Sequence, residues 1–417
     1  MSSGRGVISY PPFARLWLSD TVKWLGIFTS GLALQLLLIQ TLDADQVDLG
    51  IVRSAQQLPM LLFGLVVGVL IERVRRRPVL VAADATCALA LGAIGVLGVL
   101  DLLTIPLVAA LMFVLGAASM CSITAHQSFL PRLVPTRLLP SANARIEQSM
   151  TAAESVGPLL AGVLVRVVTA PVALLVNAAT YAVSAVLVST IRVTEDVPPP
   201  AGRRRIWRDL REGARYVYTH RVLAPYAVAL HVWFFFNSAI LTVLVFYATV
   251  DLGLGPVQVG LALACAGVAG VVAAGITPFL AERFGLGVIA CLADWLTPLA
   301  FVLVALAPVG EAGLVLLVVG QLLYGTASGL KGPLDLSYRN AVTPDRLRAR
   351  MNATIRSLNW GTIVVAAPLS GWLAASYGNR TAIWAGIAGL TLAAVVLTVS
   401  PYRQARMSDA EDDRSDA

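Results

Sequence analysis

The chain has 417 residues, of which 57% are hydrophobic and only 13% charged, with a formal net charge of +7 and a mean hydropathy of +0.77. Soluble domains carry about 25% charged residues, so this composition excludes an ordinary water-soluble protein and indicates one that lies in the lipid bilayer. The basic residues fall in short loops between apolar stretches, which is the pattern of membrane topology and not of a nucleic-acid-binding face.

Twelve apolar stretches are long enough to cross the hydrocarbon core, which needs roughly 20 residues of helix. In chain order they cover residues 13–40, 48–71, 78–100, 106–126, 142–168, 171–191, 223–249, 257–281, 286–307, 312–331, 351–375 and 381–400. The sequence therefore predicts an all-α integral membrane protein with twelve transmembrane helices.

A polar interval separates the sixth span from the seventh. It contains three prolines at 198–200 and three arginines at 203–205, followed by an amphipathic run at 206–218 that we expect at the membrane surface. The chain then divides into an N-terminal half, a cytoplasmic linker, a C-terminal half and an acidic cytoplasmic tail, at 1–192, 193–221, 222–402 and 403–417.

Arginines are concentrated in alternate loops, and the positive-inside rule places such loops in the cytoplasm. The arginine-rich segments lie at 73–77, 132–137, 192–221 and 339–350. Both termini are therefore expected in the cytoplasm. The composition, rich in alanine, valine and arginine, is typical of a GC-rich bacterium, so we expect a multi-pass protein of the bacterial inner membrane.

The two halves repeat each other at a nearly constant offset. Asp84 and Asp294 lie 210 positions apart, as do Gly50 and Gly260. Further on the offset becomes 209, where the segment 116–119 (Gly-Ala-Ala-Ser) matches 325–328 (Gly-Thr-Ala-Ser). A parallel repeat of six helices predicts two pseudo-symmetric six-helix bundles, with substrate bound near the membrane midplane.

The segment after the second span resembles the Major Facilitator signature, which reads Gly, three residues, Asp, a basic residue, any residue, Gly and two basic residues. Here Glu72 replaces the Asp and Arg75 replaces the second Gly. A second copy follows the eighth span, with Pro278 in place of the first Gly. The resemblance implies the Major Facilitator fold and a conformational switch formed by Gly68, Glu72, Arg73, Arg76, Arg77, Glu282 and Arg283.

The fifth span contains Gly157-Pro158-Leu-Leu-Ala161-Gly162, which is similar to the GPxxGG core of the antiporter motif in that superfamily. The segment 129–143 also resembles the branch that holds the enterobactin exporter and macrolide efflux proteins. These resemblances imply proton-coupled export of a hydrophobic drug, antibiotic or siderophore by a monomer, with the substrate, protons and lipid as partners and neither cofactor nor metal. The residues that carry the antiporter motif are Gly157, Pro158 and Gly162.

Ionisable groups inside a membrane are costly and are therefore candidates for function. Asp20 and Lys23 share a face of the first span and have no charged counterparts in the second half. They form either a local ion pair that neutralises itself or a proton or cation site, because a low dielectric favours the neutral carboxyl. We assign Asp84 and Asp294, which occur in both halves, to the scaffold. Glu154 in the fifth span is a second proton candidate, or else a hydrogen-bond partner of a neighbouring helix.

In the Major Facilitator family the first, fourth, seventh and tenth helices line the central cavity. Aromatic side chains there suit planar or cationic ligands, and amides or phenols add polar contacts. The cavity candidates on these spans are Trp24, Gln35, Gln127, Trp233, Phe236, Asn237, Gln321 and Tyr324.

Other functions compete with export. An importer of a small metabolite would have the same fold. An intramembrane enzyme would need a metal cluster or a nucleophile with its base, but the three histidines are scattered and neither HExxH nor GxSxG occurs. No nucleotide-binding motif is present, so ATP is not expected to drive transport. We therefore expect a transporter and no enzyme.

Overall fold

The computed structural model describes residues 6–71, 74–193 and 206–405. No β-strand occurs among these residues, and eleven of their helices are long and apolar enough to cross a membrane. The helices are α1 (Pro11–Thr41), α2 (Gln46–Ile71), α3 (Arg76–Val99), α4 (Ile105–Phe129), α5 (Leu139–Val168), α6 (Ala170–Ser189), α7 (Ile206–Thr219), α8 (Leu223–Phe246), α9 (Pro256–Phe284), α10 (Leu286–Ala305), α11 (Glu311–Ala341), α12 (Asp345–Tyr377) and α13 (Asn379–Val399). The predicted all-α fold is confirmed, and each of the twelve predicted spans coincides with a helix.

One predicted boundary is wrong by about ten residues. The tenth span was expected to end at Lys331, the first charge after its apolar stretch, but α11 continues to Ala341. A charged side chain is tolerated inside a membrane bundle when it has a partner there, and Lys331 has two, as described below. The predicted amphipathic run is a helix, α7. Residues 194–205 of the predicted linker and 406–417 of the predicted tail lie outside the described residues.

The chain divides into two compact units, Met1–Ala44 with Ala55–Gly202, and Asp45–Ser54 with Arg203–Ala417. Within the first unit, α1 packs against α5 and α6, and α3 packs against α4 and α6. Within the second, α8 packs against α12 and α13, and α10 packs against α11 and α13. By the offset of the sequence repeat, α1 corresponds to α8, α3 to α10, and α4 to α6 correspond to α11 to α13. The helix pairs of the first unit are therefore repeated in the second, and each unit forms the same bundle.

One match of the sequence repeat, that of Gly116 with Gly325, is explained by close contacts between helices. A β-carbon on Gly116 of α4 would collide with the carbonyl oxygen of Gln56 on α2, and one on Gly325 of α11 would collide with that of Ala266 on α9. Gln56 and Ala266 are themselves 210 positions apart. Small residues let membrane helices approach backbone to backbone, so both units use a glycine at the same seam.

Helix α7 is docked on α12 and on the loop that precedes it by three kinds of contact. Arg350 donates from Nη1 to Oε2 of Glu212 at 2.5 Å, and the Tyr216 hydroxyl donates to the carbonyl of Val342 at 2.9 Å. A β-carbon at Gly213 would lie 2.8 Å from the carbonyl oxygen of Arg350. The close approach of the two backbones therefore requires a glycine at this position.

Gly213→Leu is expected to displace α7 from α12, because the added side chain meets backbone that cannot move aside. Overpacking of this kind costs about 1–3 kcal/mol. Trypsin should then cut the arginine-rich α7 faster than in the wild type. Gly275→Leu is the control, since no atom of the described residues packs within 4 Å of a β-carbon there. Equal cleavage of the two variants would show that Gly213 does not hold α7 in place.

Candidate functional site

Four ionisable side chains meet in the first unit and form what we call the first charge cluster: Asp20 and Lys23 of α1, Asp84 of α3 and His126 of α4. Lys23 Nζ lies 3.5 Å from Oδ1 of Asp20 and 3.6 Å from Oδ1 of Asp84. His126 Nε2 lies 2.6 Å from Oδ2 of Asp20. One ammonium is thus shared by two carboxylates, and one of those carboxylates is also bonded to an imidazole.

Serine hydroxyls complete the hydrogen bonding of Asp84. Ser122 of α4 donates to its Oδ1 at 3.1 Å, and Ser184 of α6 donates to its Oδ2 at 2.6 Å. Ser19 of α1 bonds in turn to Ser184 at 2.7 Å. The carboxylate is fully buried, and such a group is stable only when it is paired and hydrogen-bonded. Asp84 therefore belongs to the same network as Asp20.

The second unit contains a matching group, the second charge cluster: Asp294 of α10 with Lys331 and Asp335 of α11. Lys331 Nζ lies 2.5 Å from Oδ1 of Asp294 and 3.7 Å from Oδ2 of Asp335. The Tyr402 hydroxyl lies 3.4 Å from Oδ1 of Asp335. Again one ammonium is shared by two buried carboxylates.

The two clusters differ in which helix supplies the ammonium. By the repeat, Asp84 corresponds to Asp294, whereas Lys23 corresponds to Trp233. Lys331 corresponds to Ser122, yet its Nζ lies 5.9 Å from the ring centroid of Trp233. The ammonium of the second unit therefore comes from α11 and not from α8, the counterpart of α1. It lies over Trp233, which stands at the position of Lys23.

Tyr402 lies just beyond α13, in the short turn Pro401–Gln404. Its ring stacks on Tyr226 at 4.9 Å and meets the edge of Tyr338 at 5.0 Å. Burial, together with the nearby carboxylate of Asp335, raises the pKa of Tyr402 well above its ordinary value. The phenol therefore stays protonated and donates its hydrogen to Asp335.

Three predicted cavity residues come together in the second unit. Asn237 Nδ2 of α8 donates to the hydroxyl of Tyr324 on α11 at 3.3 Å, and Gln321 lies one helical turn from Tyr324. Asn237 Oδ1 and Gln321 Nε2 are buried without a hydrogen-bond partner among the described residues. The ring of Phe301 on α10 lies 5.2 Å from that of Tyr324. These groups form a polar patch with an aromatic wall.

The other cavity candidates are more scattered. Trp24 is half-buried beside Phe28, with 6.2 Å between ring centroids, and Gln35 donates to the carbonyl of Gly31 on its own helix at 3.4 Å. Gln127 is exposed next to His126, and Glu154 is exposed on α5. Phe236 packs over Gly389 of α13, so it fills a seam between helices.

The predicted motif residues lie at helix ends and helix contacts. Gly157 of α5 packs on the backbone of α1 at Phe28, with Pro158 inside α5 and Gly162 buried. Arg76 is buried at the start of α3, and Arg77 donates to the carbonyl of Ser189 on α6. Glu282 and Arg283 are exposed in the last turn of α9. Gly68 lies in α2, and Glu72 and Arg73 lie outside the described residues.

Sequence reasoning missed His126, Lys331 and Asp335. The signal for the last two was present, because residues four apart on a helix share a face, and α11 places both in the bundle. His126 and Asp20 are 106 positions apart in the sequence, so no local pattern links them. Only the packing of α1 near α4 brings them together.

The comparisons with known proteins agree with this architecture. A family model described as "Transmembrane secretion effector" matches residues 4–416. The nucleoside transporter NupG is similar in structure, with a TM-score of 0.73 at 14% identity over 93% of this chain and 98% of that one. A bacterial homologue of the iron transporter ferroportin in its inward-facing state gives 0.75 at 15% identity, over 94% and 99%.

A D-xylose-proton symporter gives a TM-score of 0.72 at 13% identity over 96% of this chain and 99% of that one. A search of the curated proteins found no significant match. At these identities the solved structures show the fold alone, whereas the family model covers nearly the whole chain. The chain is a membrane transporter with the Major Facilitator fold, and it belongs to the family described as transmembrane secretion effectors.

Proposed function

We propose that the protein is a secondary active exporter that exchanges protons for a hydrophobic drug, antibiotic or siderophore. The observation that carries the proposal is the first charge cluster, in which the carboxyl of Asp20 is 2% exposed and bonded to both an ammonium and an imidazole. The family description, with its reference to secretion, supports the outward direction. The symporter among the similar structures supports coupling to protons.

The charges of the cluster provide a mechanism for coupling. With His126 neutral, the two carboxylates and Lys23 have a net charge of −1, and one added proton makes the cluster neutral. A neutral cluster is cheaper to keep away from water than a charged one. Proton binding at Asp20 therefore favours the state in which the site is closed to water, and proton release favours the state in which it is open.

His126 is the entry point for that proton. Its side chain is 19% exposed, whereas that of Asp20 is 2% exposed. A proton from water therefore reaches Asp20 through the imidazole, whose Nε2 lies 2.6 Å from Oδ2 of the carboxylate. Once Asp20 is neutral, Lys23 retains only Asp84 as its counter-ion. Glu154, exposed on α5, is a second candidate for this exchange.

The proposed substrate contacts are Trp24 and Gln127 in the first unit and, in the second unit, Asn237, Gln321 and Tyr324. Their aromatic rings and amides suit a planar, largely apolar molecule with a few polar groups. The switch motif at the end of α2 and α9, and the antiporter motif of α5, would couple substrate movement to the rocking of the halves. The protein would act as a monomer in the bacterial inner membrane, with both termini cytoplasmic.

Inside-out vesicles with an imposed proton gradient test the proposal. Lipophilic cations, macrolides, tetracyclines and catecholate siderophores are added in turn, and a dye reports the collapse of the gradient. We expect collapse with one of these classes in wild-type vesicles and none in Asp20→Asn. Asp101→Asn is the matched control, because Asp101 is exposed and its φ of 55° suits asparagine.

Two results would count against the proposal. Collapse in Asp20→Asn equal to that in the wild type would remove Asp20 from the coupling path and leave it as half of a structural ion pair. No collapse with any compound, in vesicles that contain the protein, would oppose export of these classes and favour uptake of a small metabolite.

A further inference from the structure

The proposed proton coupling uses the first charge cluster and Glu154, and the second charge cluster has no role in it. That cluster holds two carboxylates and one ammonium, all at most 8% exposed. Charges of this kind are stable inside a membrane protein only when they balance. Two carboxylates against one ammonium leave one negative charge to be neutralised.

The other groups around the cluster do not supply that charge directly. Tyr226, Tyr338 and Tyr402 are phenols, and Cys291 of α10 is a thiol. Arg403 is exposed at the end of the bundle. Arg339 lies one turn beyond Asp335 on α11 and its positive charge reaches that carboxyl, but the ion pairs that the described residues form in this cluster are those of Lys331. Lys331 is the cation bonded to the two carboxylates.

The distances from the ammonium show which carboxylate bears the unbalanced charge. Oδ1 of Asp294 lies 2.5 Å from Lys331 Nζ, although Oδ2 of the same carboxylate is buried without a hydrogen-bond partner among the described residues. The carboxyl of Asp335 is 3.7 Å from the same ammonium. Coulomb attraction falls with distance, so the ammonium stabilises a charge on Asp294 more than one on Asp335.

We propose that the second charge cluster is a proton-binding site of its own, in which Asp335 holds the proton while Asp294 and Lys331 remain an ion pair. This deepens the proposed function and rests on it for its use in transport, because two separate sites would move two protons in each cycle. Tyr402 stabilises both the protonated and the ionised form of Asp335. Its hydroxyl donates to Oδ1, and the proton binds the other oxygen, Oδ2.

Infrared spectroscopy of the purified full-length protein in detergent measures the proton directly. A protonated carboxyl has its own carbonyl band, which shifts in D₂O and disappears when the proton leaves. The difference spectrum is recorded between mildly acidic and mildly alkaline pH and normalised to the amide band. We expect Asp335→Asn to remove the amplitude of one carboxyl group. Asp20→Asn should remove that of another, and the double variant the sum of the two.

Lys331→Gln is the second variant, and it separates a proton site from a merely structural one. Without the ammonium, both carboxyls hold protons more tightly, so the band should persist to a more alkaline pH than in the wild type. Asp101→Asn is the control and should leave the band unchanged. Each variant must elute as a single peak in size-exclusion chromatography, as the wild type does.

An unchanged band in Asp335→Asn would overturn the assignment to Asp335, and loss of the band in Asp294→Asn alone would place the proton on the other carboxyl. A band that does not shift in Lys331→Gln would also contradict the proposal. The measurement needs no transported substrate, so a failed vesicle experiment would count against export of the tested compounds and leave this result standing.

Discussion

Lys23→Met is expected to lower the free energy of unfolding by about 3–5 kcal/mol, the range found when one partner of a buried ion pair is removed. Methionine fills nearly the same volume, so the loss is electrostatic. Asp20 retains its bond to His126, and Asp84 retains its two serines. Both carboxylates nevertheless lose their only ammonium in a site with almost no access to solvent.

Thermal unfolding in detergent measures this loss, and a second substitution tests its cause. Lys23→Met combined with Asp84→Asn restores the charge balance, because one carboxylate is removed with the ammonium. The double variant should regain a large part of the stability that the single variant loses. If the two losses simply added, the contact between Lys23 and Asp84 would have no energetic role, and the geometry of the first charge cluster would be misleading.

Gly329→Val is expected to prevent the α9–α11 seam from forming. A β-carbon on Gly329 would collide with the carbonyl oxygen of Gly270 on α9. Side chains can repack around an added group, but the backbone of a neighbouring helix cannot. The loss should therefore exceed about 3 kcal/mol, the upper end of ordinary overpacking, and we expect little folded protein.

The yield of monodisperse protein in size-exclusion chromatography tests this prediction. Gly275→Val is the matched control, because Gly275 lies on α9, the other helix of the seam, and no atom of the described residues packs within 4 Å of its β-carbon. The control bears the same change in helix propensity. Comparable yields from the two variants would mean that α9 and α11 can separate without loss of the fold.

The fold was predictable because its signal is local. Each span needs only a run of apolar residues, and the repeat adds register across the chain. The one large boundary error, at the end of α11, arose because Lys331 looked like the start of a loop. Its partner Asp294 is 37 residues away along the chain, and a hydropathy profile does not show such pairs.

The site was only partly predictable, for the same reason. Asp20 and Lys23 are neighbours on one helix, so their pairing follows from helix geometry. The bonds of Asp20 to His126 and of Lys23 to Asp84 depend on how α1, α3 and α4 pack. The comparison of the halves assigned Asp84 to the scaffold, but it could not show that Asp84 shares the ammonium of Lys23 with Asp20.

The origin of the two ammonium groups has a consequence for how such a protein can change. In the second unit, lysine stands at the position of Ser122 and tryptophan at the position of Lys23. Ser122 already bonds to Asp84, as Lys331 does to Asp294. A lysine can therefore move from one helix to another while its nitrogen stays beside the same aspartate. Two successive substitutions, Ser122→Lys and then Lys23→Trp, lead from the arrangement of the first cluster to that of the second. Asp84 has a lysine partner at every step.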